Sequence, residues 1–155
     1  MFKTILFQTT PRILMGPGAL SQTAAEVHRL KGRHVLIVTD RGLIAAGLAT
    51  RLEAVLSGGG IAWTRFDAVE PDPRFEIAVQ AAEMAKQSRA DLVIGLGGGS
   101  PLDIAKVCAV LATNSKPVGE LFGIDMVPEP GLTTILIPTT AGTGSEVTPI
   151  AILSD

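Results

Sequence analysis

The sequence predicts an α/β domain of the doubly wound kind, built on a mainly parallel sheet. Three observations carry that expectation. Short apolar runs rich in branched residues, such as His34 to Thr39 and Leu92 to Leu96, alternate with longer helical patterns. Several of these runs read as strands buried on both faces, as helix-covered parallel strands are. Small polar or glycine-rich loops close them, notably Gly97-Gly-Gly and Thr139 to Thr148.

Taken in order, Lys3 to Gln8 and Arg12 to Met15 read as strands joined by a turn at Thr10-Pro11. Leu20 to Leu30 forms a helix with Leu20, Ala24 and Val27 inward and His28 at the edge of that stripe. His34 to Thr39 is a strong buried strand, ended by Asp40. Two helical pieces follow, Leu43 to Ala46 and Leu48 to Leu56, until Ser57-Gly-Gly-Gly60 breaks the pattern. Ile61 to Phe66 alternates like a strand with a more polar face, and the prolines of Val69 to Pro73 forbid helix there. Arg74 to Gln87 is an alanine-rich helix. Leu92 to Leu96 is the next strand, with a helix after Ser100. Thr133 to Ile137 is a further strand, and Pro149 to Ser154 reads as one that stops at the chain end.

The 155 residues suit one domain, 1–155, with a sizeable core. With 46% hydrophobic and 18% charged residues the chain is globular, not disordered. The mean hydropathy of +0.39 fits a sheet covered on both faces, or a surface that meets another domain or subunit. A net charge of −2 with scattered basic residues argues against a nucleic-acid partner. No apolar run approaches the roughly 18 residues of a membrane span, and the N-terminus lacks a signal-peptide pattern. The single Cys108 excludes an intramolecular disulfide, suits a reducing compartment and is expected to be buried. A cytoplasmic location is the expectation.

The glycine run is the sharpest local signal. Glycines at a strand end let a ligand approach the backbone, and a helix N-terminus favours an anion. Ser100 can cap that helix, Pro101 suits its first turn, and Asp103 stands where a capping box has its acid. The run is neither the usual dinucleotide fingerprint nor a Walker loop, and a tight turn without a ligand is the plainer alternative. Ligands bind such sheets at the carboxyl ends of the strands, which groups Asp40, the 97–100 loop and the 139–145 loop. Asp40 can accept from the hydroxyls of a ribose, favouring NAD over NADP, or simply cap the next helix. The 139–148 loop is a ligand wall or a mobile turn. His28 and His34 do not share a face at metal-ligand spacing, and no catalytic triad can be assembled.

Gly97-Gly-Gly-Ser-Pro-Leu-Asp-Ile-Ala-Lys106 followed by Pro138-Thr-Thr-Ala-Gly-Thr-Gly-Ser-Glu146 resembles the iron-containing (group III) alcohol dehydrogenase family. Val38-Thr-Asp40 and Glu70-Pro-Asp-Pro73 fit the same pattern, and the likeness runs the length of the chain. The resemblance implies a Rossmann-like nucleotide-binding domain paired with an all-helical domain, the active site lying between them. It implies that Gly98, Gly99 and Ser100 hold the pyrophosphate and Asp40 the adenosine ribose, with Pro71 beside the adenosine half. Thr139, Thr140 and Thr143 would line the cofactor groove, with Ser145 and Thr148 towards the nicotinamide. Asp103 matches a family position and joins the cofactor set, while Lys106 matches one too but could equally be solvated.

The family's metal, iron or sometimes zinc, is held by one aspartate and three histidines that follow these motifs. Asp155 matches the aspartate that ends this strand, not the metal ligand. The chain is therefore expected to be the nucleotide-binding half of an NAD(P)-dependent alcohol dehydrogenase, either as a fragment or as a natural short product. Its catalytic set is expected to be empty, with no turnover by the chain alone. The expected partners are a nicotinamide dinucleotide, a small alcohol or aldehyde in the intact enzyme, and further copies of the chain. Alternatives are a glycerol dehydrogenase or dehydroquinate synthase-like domain, and a non-catalytic nucleotide-binding or dimerisation module.

Overall fold

A computed structural model describes residues 9–121, 123 and 126–154. Four strands, β1 (His34–Val38), β2 (Ala62–Phe66), β3 (Leu92–Gly97) and β4 (Thr133–Pro138), form one sheet in the order β2-β1-β3-β4. Every pairing is parallel. Parallel neighbours need crossovers, and the helices supply them. α1 (Thr23–Arg29) precedes β1; α2 (Arg41–Ala45) and α3 (Leu48–Gly58) lead to β2; α4 (Phe75–Ser88) leads to β3; α5 (Gly99–Thr113) leads towards β4.

The alternation of side chains along a strand divides the core in two. Val35, Ile37, Leu92 and Ile94 face one layer with Val27 of α1 and Ala49, Leu52 and Leu56 of α3. Leu36, Val38 and Val93 face the other, against Ala78, Ala81, Ala82 and Ala85 of α4 and Ile104, Ala105 and Cys108 of α5. The alanine stripe lets α4 lie close to its neighbours. Both faces of β1 and β3 are thus sealed, the condition the doubly wound reading required. Covering both faces accounts for much of the hydropathy, although Ile150 and Ile152 remain 66% and 77% exposed. Cys108 is buried as expected, and desolvation pushes its thiol up to about 12 against a partial opposing pull from Lys86. No helix among the described residues is long and apolar enough to cross a membrane.

Three local expectations need correction. Arg12 to Met15 is not a strand: no described strand flanks it, Ile13, Leu14 and Met15 are exposed, and Arg12 is held instead by a two-pronged contact with Glu26. Pro149 to Ser154 does not join the sheet. Its only ladder contact among the described residues is a single bridge from Ser154 to Arg74, where the segment returns to the proline loop. Within the first helix, residues 19–22 wind as a 3-10 turn and His28 is exposed, its Nε2 bonded to the Gly59 carbonyl at 2.9 Å. The strand expected over Lys3 to Gln8 lies outside the described residues.

Asp91, just before β3, shows how the sheet's opposite end is tied. Its Oδ1 accepts the backbone N–H groups of Arg33 (2.9 Å) and His34 (3.1 Å), and its Oδ2 meets the Arg33 guanidinium at 3.2 Å. Burial alone raises its pKa, but these hydrogen bonds and the Arg33 charge outweigh it and leave the carboxyl below its ordinary value. A depressed folded-state pKa contributes stability above the unfolded value that is lost as pH falls through the folded value. Asp91→Asn is therefore expected to lower Tm at pH 7 and to flatten the fall of Tm on acidification through the carboxylate range. Parallel Tm–pH curves for the two proteins would refute this role.

Candidate functional site

The chain runs from β1 outwards to β2, then crosses back to β3 on the other side of β1. That reversal opens a crevice beyond the carboxyl ends of β1 and β3, where ligands of such sheets bind. A cleft of about 650 Å³ lies there, a volume within the range of small-molecule and cofactor sites. Asp40 and Arg41 after β1, Asp67 after β2, Gly98 to Pro101 after β3, and Thr139 and Thr140 after β4 all reach it. Glu70 and Pro71 of the proline loop close another side.

The floor of the cleft is the β3–α5 turn. Gly97 has φ +153, where side chains are strained, and a Cβ there would lie 2.5 Å from the Pro101 ring. Thr139 donates its N–H to the Gly97 carbonyl at 2.8 Å, tying the end of β4 to the turn. The expected capping box does not form. The N-cap is Gly98 without any side-chain cap, and Ser100 lies inside the first turn on the cleft wall. The turn before the helix is fixed by the Thr139 N–H at the Gly97 carbonyl, and the helix begins one residue before Ser100. The result is a helix N-terminus whose amides are not occupied by a capping side chain, next to glycines that add no bulk.

Of the two parts expected of Asp40, the structure shows the cap. The residue is the N-cap of α2, its Oδ1 accepting the Leu43 N–H at 3.0 Å. Its Oδ2 accepts no hydrogen bond from the described residues, and the residue lines the cleft. Capping therefore engages only one of the two oxygens.

The residues expected to hold a cofactor fall into two groups. Asp40, Pro71, Gly98, Gly99, Ser100, Thr139 and Thr140 share the cleft wall. Thr143 does not line it but abuts the start of α5, its Cγ2 3.4 Å from where a Gly99 Cβ would lie. Asp103 lies further along α5, and Ser145 and Thr148 lie in the loop after β4. Ser145 is buried, and Thr148 borders a separate cavity of about 690 Å³. Asp103 engages Ser145, Lys106 and the Ile152 N–H, while Lys106, far from solvated, has a side chain only 12% exposed. Sequence reasoning missed Arg41, Leu43 and the Asp67 to Glu70 wall; the strand-end rule applied to Ile61–Phe66 would have found Asp67.

Comparison with known proteins agrees with this architecture. The sequence profile of the family described as iron-containing alcohol dehydrogenase matches residues 10–155, and the chain belongs to that family. It is 44% identical over 147 residues to a sulfoacetaldehyde reductase of Bilophila wadsworthia, covering 95% of this chain and 38% of the relative. A long-chain-alcohol dehydrogenase 1 of Geobacillus thermodenitrificans is 43% identical, with 90% and 36% covered. Among solved structures, a 1,3-propanediol oxidoreductase superposes with a TM-score of 0.90 at 30% identity, over 94% of this chain and 38% of that one. A sulfoacetaldehyde reductase from Bifidobacterium kashiwanohense in complex with NAD+ gives 0.82 at 28% identity, over 90% and 37%. The chain thus spans less than two-fifths of the length of these proteins.

The family's name implies iron, and the described residues do not fit it. Among them no group of three or more histidine, cysteine, aspartate or glutamate residues could hold a metal ion. The two histidines are separately engaged, His28 with the Gly59 carbonyl and His34 with Thr64 Oγ1, each at 2.9 Å.

Proposed function

We propose that this chain is the nucleotide-binding part of an NAD-dependent oxidoreductase that interconverts a small alcohol and its aldehyde. The observation that carries the reading is the cleft at the sheet's reversal point, with Asp40 on one side and Gly98, Gly99 and Ser100 on the other. The diphosphate takes the glycine side, where backbone N–H groups and the α5 dipole favour an anion. The adenosine ribose takes the Asp40 side, where Oδ2 accepts from its hydroxyls, and Pro71 flanks the adenosine. Thr139 and Thr140 wall the path from the diphosphate onwards. The nicotinamide, when bound, supplies the hydride acceptor or donor; the residues of this chain grip and orient it. The same chemistry disfavours NADP, whose 2′-phosphate would meet the Asp40 carboxylate. A reducing cytoplasm suits the lone, buried Cys108.

Calorimetric titration of NAD and NADP tests the reading. Asp40→Asn keeps an acceptor for the Leu43 N–H, since asparagine caps as well as aspartate. It removes the charge, so NAD binding is expected to weaken about 10-fold, the worth of a hydrogen bond to a charged group. NADP binding should hold or improve. Equal losses for both nucleotides would leave Asp40 as a cap only, and no binding of either by the parent chain would overturn the proposal.

A further inference from the structure

Among the described residues the loop after β4 is tied down beside the cleft and again by a charged clamp on the flank of α5, with Thr9 Oγ1 adding a bond to the Val147 carbonyl at 3.3 Å. At the first tie, Thr139 is bonded to Gly97 beside the cleft. Beyond it, Thr140 to Thr143 are exposed, and Gly142 and Gly144 have φ of +98 and +67. At the second, Asp103 and Lys106, one turn apart on α5 and paired at 2.9 Å, seize residues 145–152. The Lys106 ammonium donates to the carbonyls of Ser145 (3.0 Å), Thr148 (3.4 Å) and Ile150. Asp103 Oδ1 accepts the Ser145 hydroxyl at 2.5 Å, and Oδ2 accepts the Ile152 N–H at 3.1 Å. The two side chains are only 13% and 12% exposed, so each neutralises the other in a place where a lone charge would be costly.

We propose that Asp103 and Lys106 are positioning residues for the distal half of the dinucleotide: they hold the far end of the 139–148 loop, so that its cleft-facing start keeps one shape. The inference rests on the nucleotide reading above. Neither carboxylate oxygen of Asp103 is without a partner in the chain. Nor does Asp103 or Ser145 line the cleft. The ADP half of the cofactor lies against Asp40, Pro71 and the glycines, none of which the clamp touches. The half beyond the diphosphate depends on the loop wall.

A double-mutant cycle, with NAD and ADP as the two probes, separates this role from direct contact. Asp103→Ala and Ser145→Ala are each expected to weaken NAD binding about 10-fold, and the double variant no further, because coupled residues are non-additive. ADP binding should stay within about 2-fold, as the clamp lies outside its half of the site. Losses that multiply in the double variant would make the two residues independent cofactor contacts and overturn the proposal. Unchanged NAD affinity, or equal losses for NAD and ADP, would also overturn it. Lys106→Met keeps the aliphatic stem and repeats the test should Asp103→Ala fail to fold. Hydrogen exchange at the Ile152 amide reads the clamp without nucleotide: protection should drop in Asp103→Ala. A parent chain that binds neither probe refutes the nucleotide reading and this inference with it, whereas a parent that binds both with an additive cycle refutes this inference alone.

Discussion

Gly97→Ala is expected to lower the stability of this domain by about 2–5 kcal/mol, from a strained backbone and an overpacked contact together. The residue adopts φ +153, a region open essentially to glycine alone. Its new Cβ would also lie 2.5 Å from Pro101 Cγ and 3.3 Å from Leu43 Cδ1. Neither neighbour can retreat easily. Pro101 is buried under the turn and has no rotamer to change, and the Gly97 carbonyl is fixed by the Thr139 N–H. The loss is a large share of the roughly 5–15 kcal/mol that a domain has. In a thermal melt it should appear as a Tm lower by roughly 10 °C. Gly98→Ala is the control. That residue has φ −77, and its Cβ would meet only the Thr140 side chain, Oγ1 at 3.3 Å and Cγ2 at 3.8 Å, so a shift of a few degrees at most is expected. A Gly97→Ala melt no lower than that of Gly98→Ala would show that the turn relaxes freely.

The elements legible in the sequence were those whose hydrophobic period is long or unbroken. β1, β3 and α4 match their predicted spans within a residue or two at each end, because Val35–Val38 and Leu92–Leu96 are covered on both faces and Ala78, Ala81, Ala82 and Ala85 repeat at helical spacing. Arg12–Met15 and Pro149–Ser154 have strand-like composition, but a strand also needs an edge to pair with. Among the described residues only Ser154 pairs, with Arg74. Composition reports a preference for extended backbone and cannot report that partner. The start of α5 illustrates the same limit at finer scale. Ser100 is a good cap by residue type, yet the cap is Gly98, in a turn that Thr139, 42 residues on from Gly97, holds through the Gly97 carbonyl.

The site was legible where a general rule of the fold applies. Asp40, Gly98–Ser100 and Thr139–Thr140 all follow strand ends, and they converge on one cleft. Asp103, Ser145 and Thr148 were placed by likeness of motif, with no rule to say which way α5 would turn Asp103 or where the loop after β4 would run. Two of them meet in a clamp on the flank of α5. One sequence signal was available: Asp103 and Lys106 stand three apart on a helix whose Leu102, Ile104, Ala105 and Cys108 are all apolar and buried. A charged pair amid such a run has to find partners inside the protein.

Gly99→Asp is expected to abolish nucleotide binding while leaving the fold intact, and this contrast separates a phosphate cradle from a mere turn. Gly99 is the first residue of α5, in helical backbone, and a Cβ there meets Thr143 Cγ2 at an ordinary 3.4 Å. An acid in the first turn favours the helix by about 0.3–1 kcal/mol through the dipole. If the turn were only structural, the variant should melt at or slightly above the parent and bind whatever the parent binds. In the cradle reading the new carboxylate competes for the same N–H groups and repels the diphosphate. At a few ångströms and a surface-like effective dielectric that repulsion is about 4 kcal/mol, so NAD and ADP affinities should both fall about 100-fold or more. Gly99→Asn, equal in reach but neutral, should lose far less. Its binding is measured beside that of Gly99→Asp at low and high salt, because repulsion between charges weakens with ionic strength and a steric block does not. Retention of parent-like NAD affinity by Gly99→Asp would place the diphosphate elsewhere and remove the basis for assigning Gly98, Gly99 and Ser100 to it.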